Sequence, residues 1–102
     1  MTPDEFEFQC QMYVAEVHDA IIANDGTVER IHAEGRALVA ALQFLDRAYD
    51  QTEDAELREQ IEATGMSLGP CLALNVKRLH AAVQSAAELA DTMSEVTQVT
   101  LH

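Results

Sequence analysis

From Val28 to Tyr49 apolar residues recur at steps of three and four, through Val28, Ile31, Leu38, Leu42, Leu45 and Tyr49, with Gly35 in the same register. A helix needs that period to keep one seam against a neighbour, whereas a strand turns successive side chains to opposite faces. A second row, Ala33, Ala37, Ala40, Phe44 and Ala48, runs beside the first. Together they make an apolar arc wider than the stripe of about 100° on a simple surface helix. This helix is expected to be central, with its alanines admitting a neighbour of the same chain, or to be shared with a partner.

The seam period returns in Leu72, Val76, Leu79, Val83, Ala86, Ala90 and Met93, and Pro70 is placed to open that last helix. Near the amino terminus Thr2 can cap, Pro3 suits the first helical position, and Glu5 completes a capping box. The stretch EFEFQCQM, Glu5 to Met12, alternates polar and apolar residues as a strand would. Beyond Met12 the period is helical, and Phe6, Cys10, Tyr13, Val14, Val17 and Ile21 fall on one face. The alternation is therefore read as a helix carrying apolar residues on two faces.

Asn24-Asp25-Gly26 ends this helix and Thr27 caps the next. Gln51-Thr52-Glu53-Asp54 makes a turn and a new cap, leading into a short helix with Leu57 and Ile61 inward. Gly65 can stop it, and Met66-Ser67-Leu68-Gly69-Pro70 reads as a connection. The tail, Val96 to His102, is rich in β-branched residues, so it is expected to be a frayed end or a short strand that pairs with another chain.

These elements imply an all-α fold class: an antiparallel bundle with long helices over about 3–24, 28–50 and 70–95 and a short one over 53–64, within a single domain spanning 1–102. A homodimer completing a larger bundle would account for the wide arc of the second helix. One core suits 102 residues, and 48% apolar content excludes disorder by composition. With no Trp and few aromatics, the core must be built from Leu, Val, Ile and Ala.

The net charge of −12 arises from 18 acids against 6 bases, and no Lys or Arg precedes Arg30. Direct binding to nucleic acid or an anionic membrane is disfavoured, because Lys and Arg drive it by releasing counterions. A basic protein surface is a better partner. MTPDEFEF has neither a basic n-region nor an apolar h-region, so no signal peptide is expected. The longest aliphatic run, Ala37 to Leu42, is far short of the ~20 residues that span a bilayer. The chain is read as cytoplasmic, with Cys10 and Cys71 as reduced, buried small hydrophobes.

The candidate functional residues lie on the first helix. Phe8, Met12, Ala15 and Ile22 fall on the side away from Phe6, Tyr13 and Val17, with Asp19 breaking the row. Exposed, such a stripe marks an interaction site; the alternative is that it packs against the last helix or the tail. Glu5, Glu16 and Asp19 would favour a partner whose groove is apolar at its centre and basic at its rim. Phe44 is a further candidate anchor.

The acids Asp50, Glu53, Asp54, Glu56, Glu59 and Glu62 surround a single Arg58. They read either as a solvated face or as a mimic of nucleic-acid phosphates. His18, His32, His80 and His102 form no HxxxH or HExxH pattern and the cysteines no CxxC, so neither metal nor cofactor is expected. His32 in RIHAEGR precedes a glycine, as in histidine phosphotransfer domains, but Glu34 stands where those have lysine and would repel a phosphoryl group. No nucleophile stands beside a base, so catalysis is not expected.

The function expected is a small regulatory binding module, an anti-activator or a chaperone, that docks on another protein such as a transcriptional regulator with a basic or apolar groove. The alternatives are a nucleic-acid mimic acting through the acids of the short helix, and a passive subunit of a larger assembly.

Overall fold

The computed structural model describes the backbone of residues 1–101 and the side chains of residues 1–96. It contains three helices, α1 (Pro3–Ala23), α2 (Val28–Asp50) and α3 (Ala55–Leu101), and no strand among the described residues.

Each start has a chemical cause. Glu5 N donates to Thr2 Oγ1 at 3.2 Å while Thr2 N donates to Glu5 Oε2 at 3.5 Å, so the capping box at α1 is formed in both directions. α1 stops at Asn24, and Gly26 takes φ +86°, which an L side chain adopts only with strain. Asp25 Oδ1 accepts from both the N–H (3.0 Å) and the hydroxyl (2.7 Å) of Thr27. The Thr27 hydroxyl accepts from Arg30 N and so caps α2. At α3, Asp54 Oδ1 accepts from the N–H groups of Glu56 and Leu57.

The short turn after α1 lays it antiparallel on α2, and α2 in turn packs on α3. α2 is the central element, as its wide apolar arc requires. Two clusters hold the three helices together. In the first, Phe6, Phe44, Leu45, Ala48, Leu57 and Ile61 are buried, and Phe44 stacks on both Phe6 and Tyr13. In the second, Val17, Leu38 and Ala41 are joined by Tyr13, Ala37, Leu68 and Leu72.

The expected short helix, connection and last helix are one helix of 47 residues, with Pro70 in its interior. The expected break at 66–70 is thus overturned, and tertiary packing is the reason. Leu57, Ile61, Leu68 and Leu72 keep one helical register across the glycines, and Leu68 packs against both clusters. Burying Leu68 and Leu72 contributes on the order of 1–2 kcal/mol each, comparable with the roughly 3 kcal/mol that an interior proline costs. The hydroxyls of Thr64 and Ser67 donate to the carbonyls of Gln60 and Ala63, adding local bonds just before the proline.

The backbone of 96–101 is helical, in place of the frayed end or strand expected there, and His102 lies outside the described residues. Extending an existing helix costs no new nucleus, and β-branched residues penalise it only by a few tenths of a kcal/mol each.

A helix of 47 residues is about 70 Å long at 1.5 Å per residue, and the molecule measures 71 × 18 × 16 Å. Its radius of gyration, 19.4 Å, compares with about 13 Å for a compact chain of this length. Ile31 O receives the Asn75 side chain near the start of α2, so beyond about Leu79 α3 outruns the α1–α2 hairpin. Among the described residues no helix is long and apolar enough to cross a membrane.

Candidate functional site

Among the described residues α1 has two apolar faces and packs mainly on α2. Phe6 and Val17 turn toward α2 and are buried, with Cys10 and Tyr13 partly covered beside them. On the opposite side, positions 8, 12, 15, 19 and 22 recur at steps of four and three, and no described residue covers them. Phe8 is 67% exposed, Met12 55% and Ile22 69%, and Ala15, Glu16 and Asp19 are exposed beside them. The stripe faces away from α2 and α3.

Phe44 is not part of it. Its ring is buried, with centroids 5.7 Å from Phe6 and 4.7 Å from Tyr13, so it is a core residue and not a partner anchor. Phe44 lies in the alanine row of α2, and α1 of the same chain covers it there.

Beside the stripe lies an open groove of about 850 Å³, walled by Phe6, Cys10, Val14, Ala15 and His18 of α1, with Gln60 of α3 at its edge. It exists because α1 and α3 both pack on α2 and scarcely on each other. Burial raises the Cys10 thiol above its usual pKa, which lowers its thiolate fraction. Cys71 is exposed, contrary to the expectation that both cysteines are buried, and both thiols are free. With the helix unbroken at Pro70, Cys71 falls just off the face that packs on α2, and its thiol donates to Ser67 O.

The acids of the α2–α3 turn and first turns of α3 are exposed, as a solvated face requires. Arg58 does not neutralise them evenly: its Nε donates to Thr52 O at 2.7 Å and its guanidinium lies 4.9 Å from the centre of the Tyr49 ring.

A polar network near the hairpin tip was not anticipated. Asn75, buried in α3, donates through Nδ2 to Ile31 O at 2.9 Å and to Glu34 Oε2 at 3.1 Å. Asn24, the cap of α1, donates to the same Glu34 oxygen at 2.8 Å. One carboxylate thereby ties all three helices. Gly35 makes room for it, since a Cβ there would collide with Asn75 Oδ1. The signal in the sequence was Asn75, a polar residue in seam register between Leu72 and Leu79, together with a glycine in the seam of α2. The network also accounts for Glu34 in RIHAEGR, while His32 is exposed.

Among the described residues no three His, Cys, Asp or Glu side chains are grouped to hold a metal ion. No family model, no curated protein and no solved structure matches this chain.

Proposed function

We propose that this protein is a non-catalytic, cytoplasmic binding module that docks through the outer face of α1 onto another protein. The observation that carries the reading is the stripe of Phe8, Met12 and Ile22, three large apolar side chains each more than half exposed on one helix face. A soluble monomer rarely leaves such side chains contiguous without a use for them. Helix-in-groove recognition fits a stripe repeating at three and four, with Phe8, Met12 and Ile22 as anchors and Ala15 allowing close approach. Glu16 and Asp19 at its border favour a basic rim around the partner's apolar groove. An anti-activator covering a transcriptional regulator, or a chaperone covering an assembly surface, would work in this way.

The test is quantitative affinity capture with the wild type and with Phe8→Ala/Met12→Ala. Because both side chains point to solvent, the double variant keeps the helicity and stability of the wild type. A partner held by this stripe is retained by the wild type at 0.5 M NaCl and lost with the variant, at a cost on the order of 2 kcal/mol or more per buried anchor. A partner bound equally by both proteins removes the stripe from the site.

A second reading, a mimic of nucleic-acid phosphates, is favoured by the inward turn of Arg58, which leaves Glu53, Asp54, Glu56, Glu59 and Glu62 facing solvent. Its mark is capture indifferent to Phe8 and Met12 but abolished by salt, since exposed ion pairs are screened together.

A further inference from the structure

The far half of α3 continues the pattern of a buried helix beyond the hairpin, where Val83, Ala86 and Ala90 are exposed among the described residues. The face that packs on α2 at Leu57, Ile61 and Leu72 runs on in register through Leu79, Val83, Ala86 and Ala90, where Val83 is 49% exposed and Ala86 and Ala90 are exposed. The acids of this half, Glu88, Asp91 and Glu95, are on the opposite side of the helix by the 100° step per residue. The seam itself is acid-free.

We propose that a second copy of this chain supplies the missing surface, with the far half of each α3 lying in the α1–α3 groove of the other copy. The two long helices then run antiparallel about a two-fold axis near residue 78, the midpoint of α3. Each end becomes a four-helix arrangement of α1, α2, the near half of α3 and the far half of the partner copy's α3. This interface meets the stripe at Ala15 and Asp19, which border the groove, while Phe8, Met12 and Ile22 stay on the outside, and it does not depend on the stripe's having a partner.

Three observations name a second copy as the occupant. The first is length: residues 82–101 span about 30 Å of helix and the groove wall, Pro3 to Asp19 of α1, about 25 Å, so the projecting segment is long enough to cover it.

The second is area. A compact monomer of 11.2 kDa exposes about 5,700 Å² by the usual scaling, whereas this chain exposes 7406 Å². The excess, about 1,700 Å², lies within the roughly 1,000–2,500 Å² that each subunit of an obligate homodimer buries.

The third is charge. No acid lies between Ala63 and Ala87, where Lys77 and Arg78 sit, while α1 carries Glu7, Glu16 and Asp19 and no Lys or Arg. Arg78 lies at the two-fold axis and off the acidic side of α3, so the dimer brings it toward Asp19 on the groove wall of the other copy.

The test is sedimentation velocity on the full chain from 1 to 100 µM, with far-UV circular dichroism to show that each variant remains helical. The wild type is expected at twice 11.2 kDa. Val83→Asp/Ala86→Asp on α3 and, separately, Val14→Asp in the groove should each weaken the dimer on the order of 100-fold, because each places an unpaired charge in the interface. Phe8→Ala/Met12→Ala should leave it intact.

A folding-independent readout comes from Cys10, which lines the groove: its alkylation in the wild type should slow as protein concentration rises, while that of the Val83→Asp/Ala86→Asp variant should not. A wild-type monomer at 100 µM overturns the proposal. So does a dimer broken by the α3 variant but indifferent to Val14→Asp, or one that only Phe8→Ala/Met12→Ala breaks.

Discussion

Gly35→Ala should destabilise this protein, and the same substitution should stabilise it once Asn75 has been replaced by alanine. Gly35 is inside α2, where alanine is favoured over glycine by about 1 kcal/mol of helix propensity. Against that gain stands a collision: the new Cβ meets Asn75 Oδ1 and comes within 3.3 Å of its Cγ. The Asn75 side chain can yield only by giving up its bonds to Ile31 O and Glu34 Oε2. It is 3% exposed, so water does not replace them.

One neutral hydrogen bond contributes about 1 kcal/mol and one to a carboxylate about 1.5–3, so their loss costs about 2.5–4 kcal/mol. The net effect of Gly35→Ala in the wild type is then a loss of about 1.5–3 kcal/mol. In the Asn75→Ala background nothing opposes the propensity term, and the substitution gains about 1 kcal/mol. Urea unfolding followed at 222 nm, at one protein concentration for all four proteins, closes the cycle. If Gly35→Ala raises stability equally in both backgrounds, Asn75 is not clamped by these bonds and the reasoning fails.

Two further substitutions probe the helices on either side of this network. Phe44→Ala should cost about 3–5 kcal/mol of unfolding free energy, since it empties the stack between Phe6 and Tyr13; a change under about 1 kcal/mol by the same urea assay would contradict its place in the core. Pro70→Ala should raise stability by about 1–3 kcal/mol by restoring a donor inside α3, and a loss of stability would mean that the helix depends on the proline there.

Much of α1 and α2 was legible from local chemistry. Thr2 with Glu5, Asn24 to Thr27, and the seam from Ile31 to Tyr49 name their own helices, because a cap, a turn and a period of 3.6 are properties of neighbours in the chain. The apolar stripe of Phe8, Met12 and Ile22 was legible for the same reason. Phe44 was misassigned because helical period says which residues share a face, not which helix covers that face.

Sequence alone determined that the chain is helical, where α1 and α2 begin and end, and which side chains can face together, since these depend on interactions within about one turn. Only the tertiary structure decided that α3 runs unbroken through Gly65, Gly69 and Pro70. Local signals there favour a stop, and what opposes them is the packing of Leu68 and Leu72 against residues of α1 and α2 more than 20 positions away. It also decided that Glu34 and Asn75 meet, that Phe44 is enclosed and Phe8 is not, and that half of α3 stands clear of the hairpin. Each of these depends on which surfaces of distant segments come into contact, and a periodic pattern carries no record of its partner.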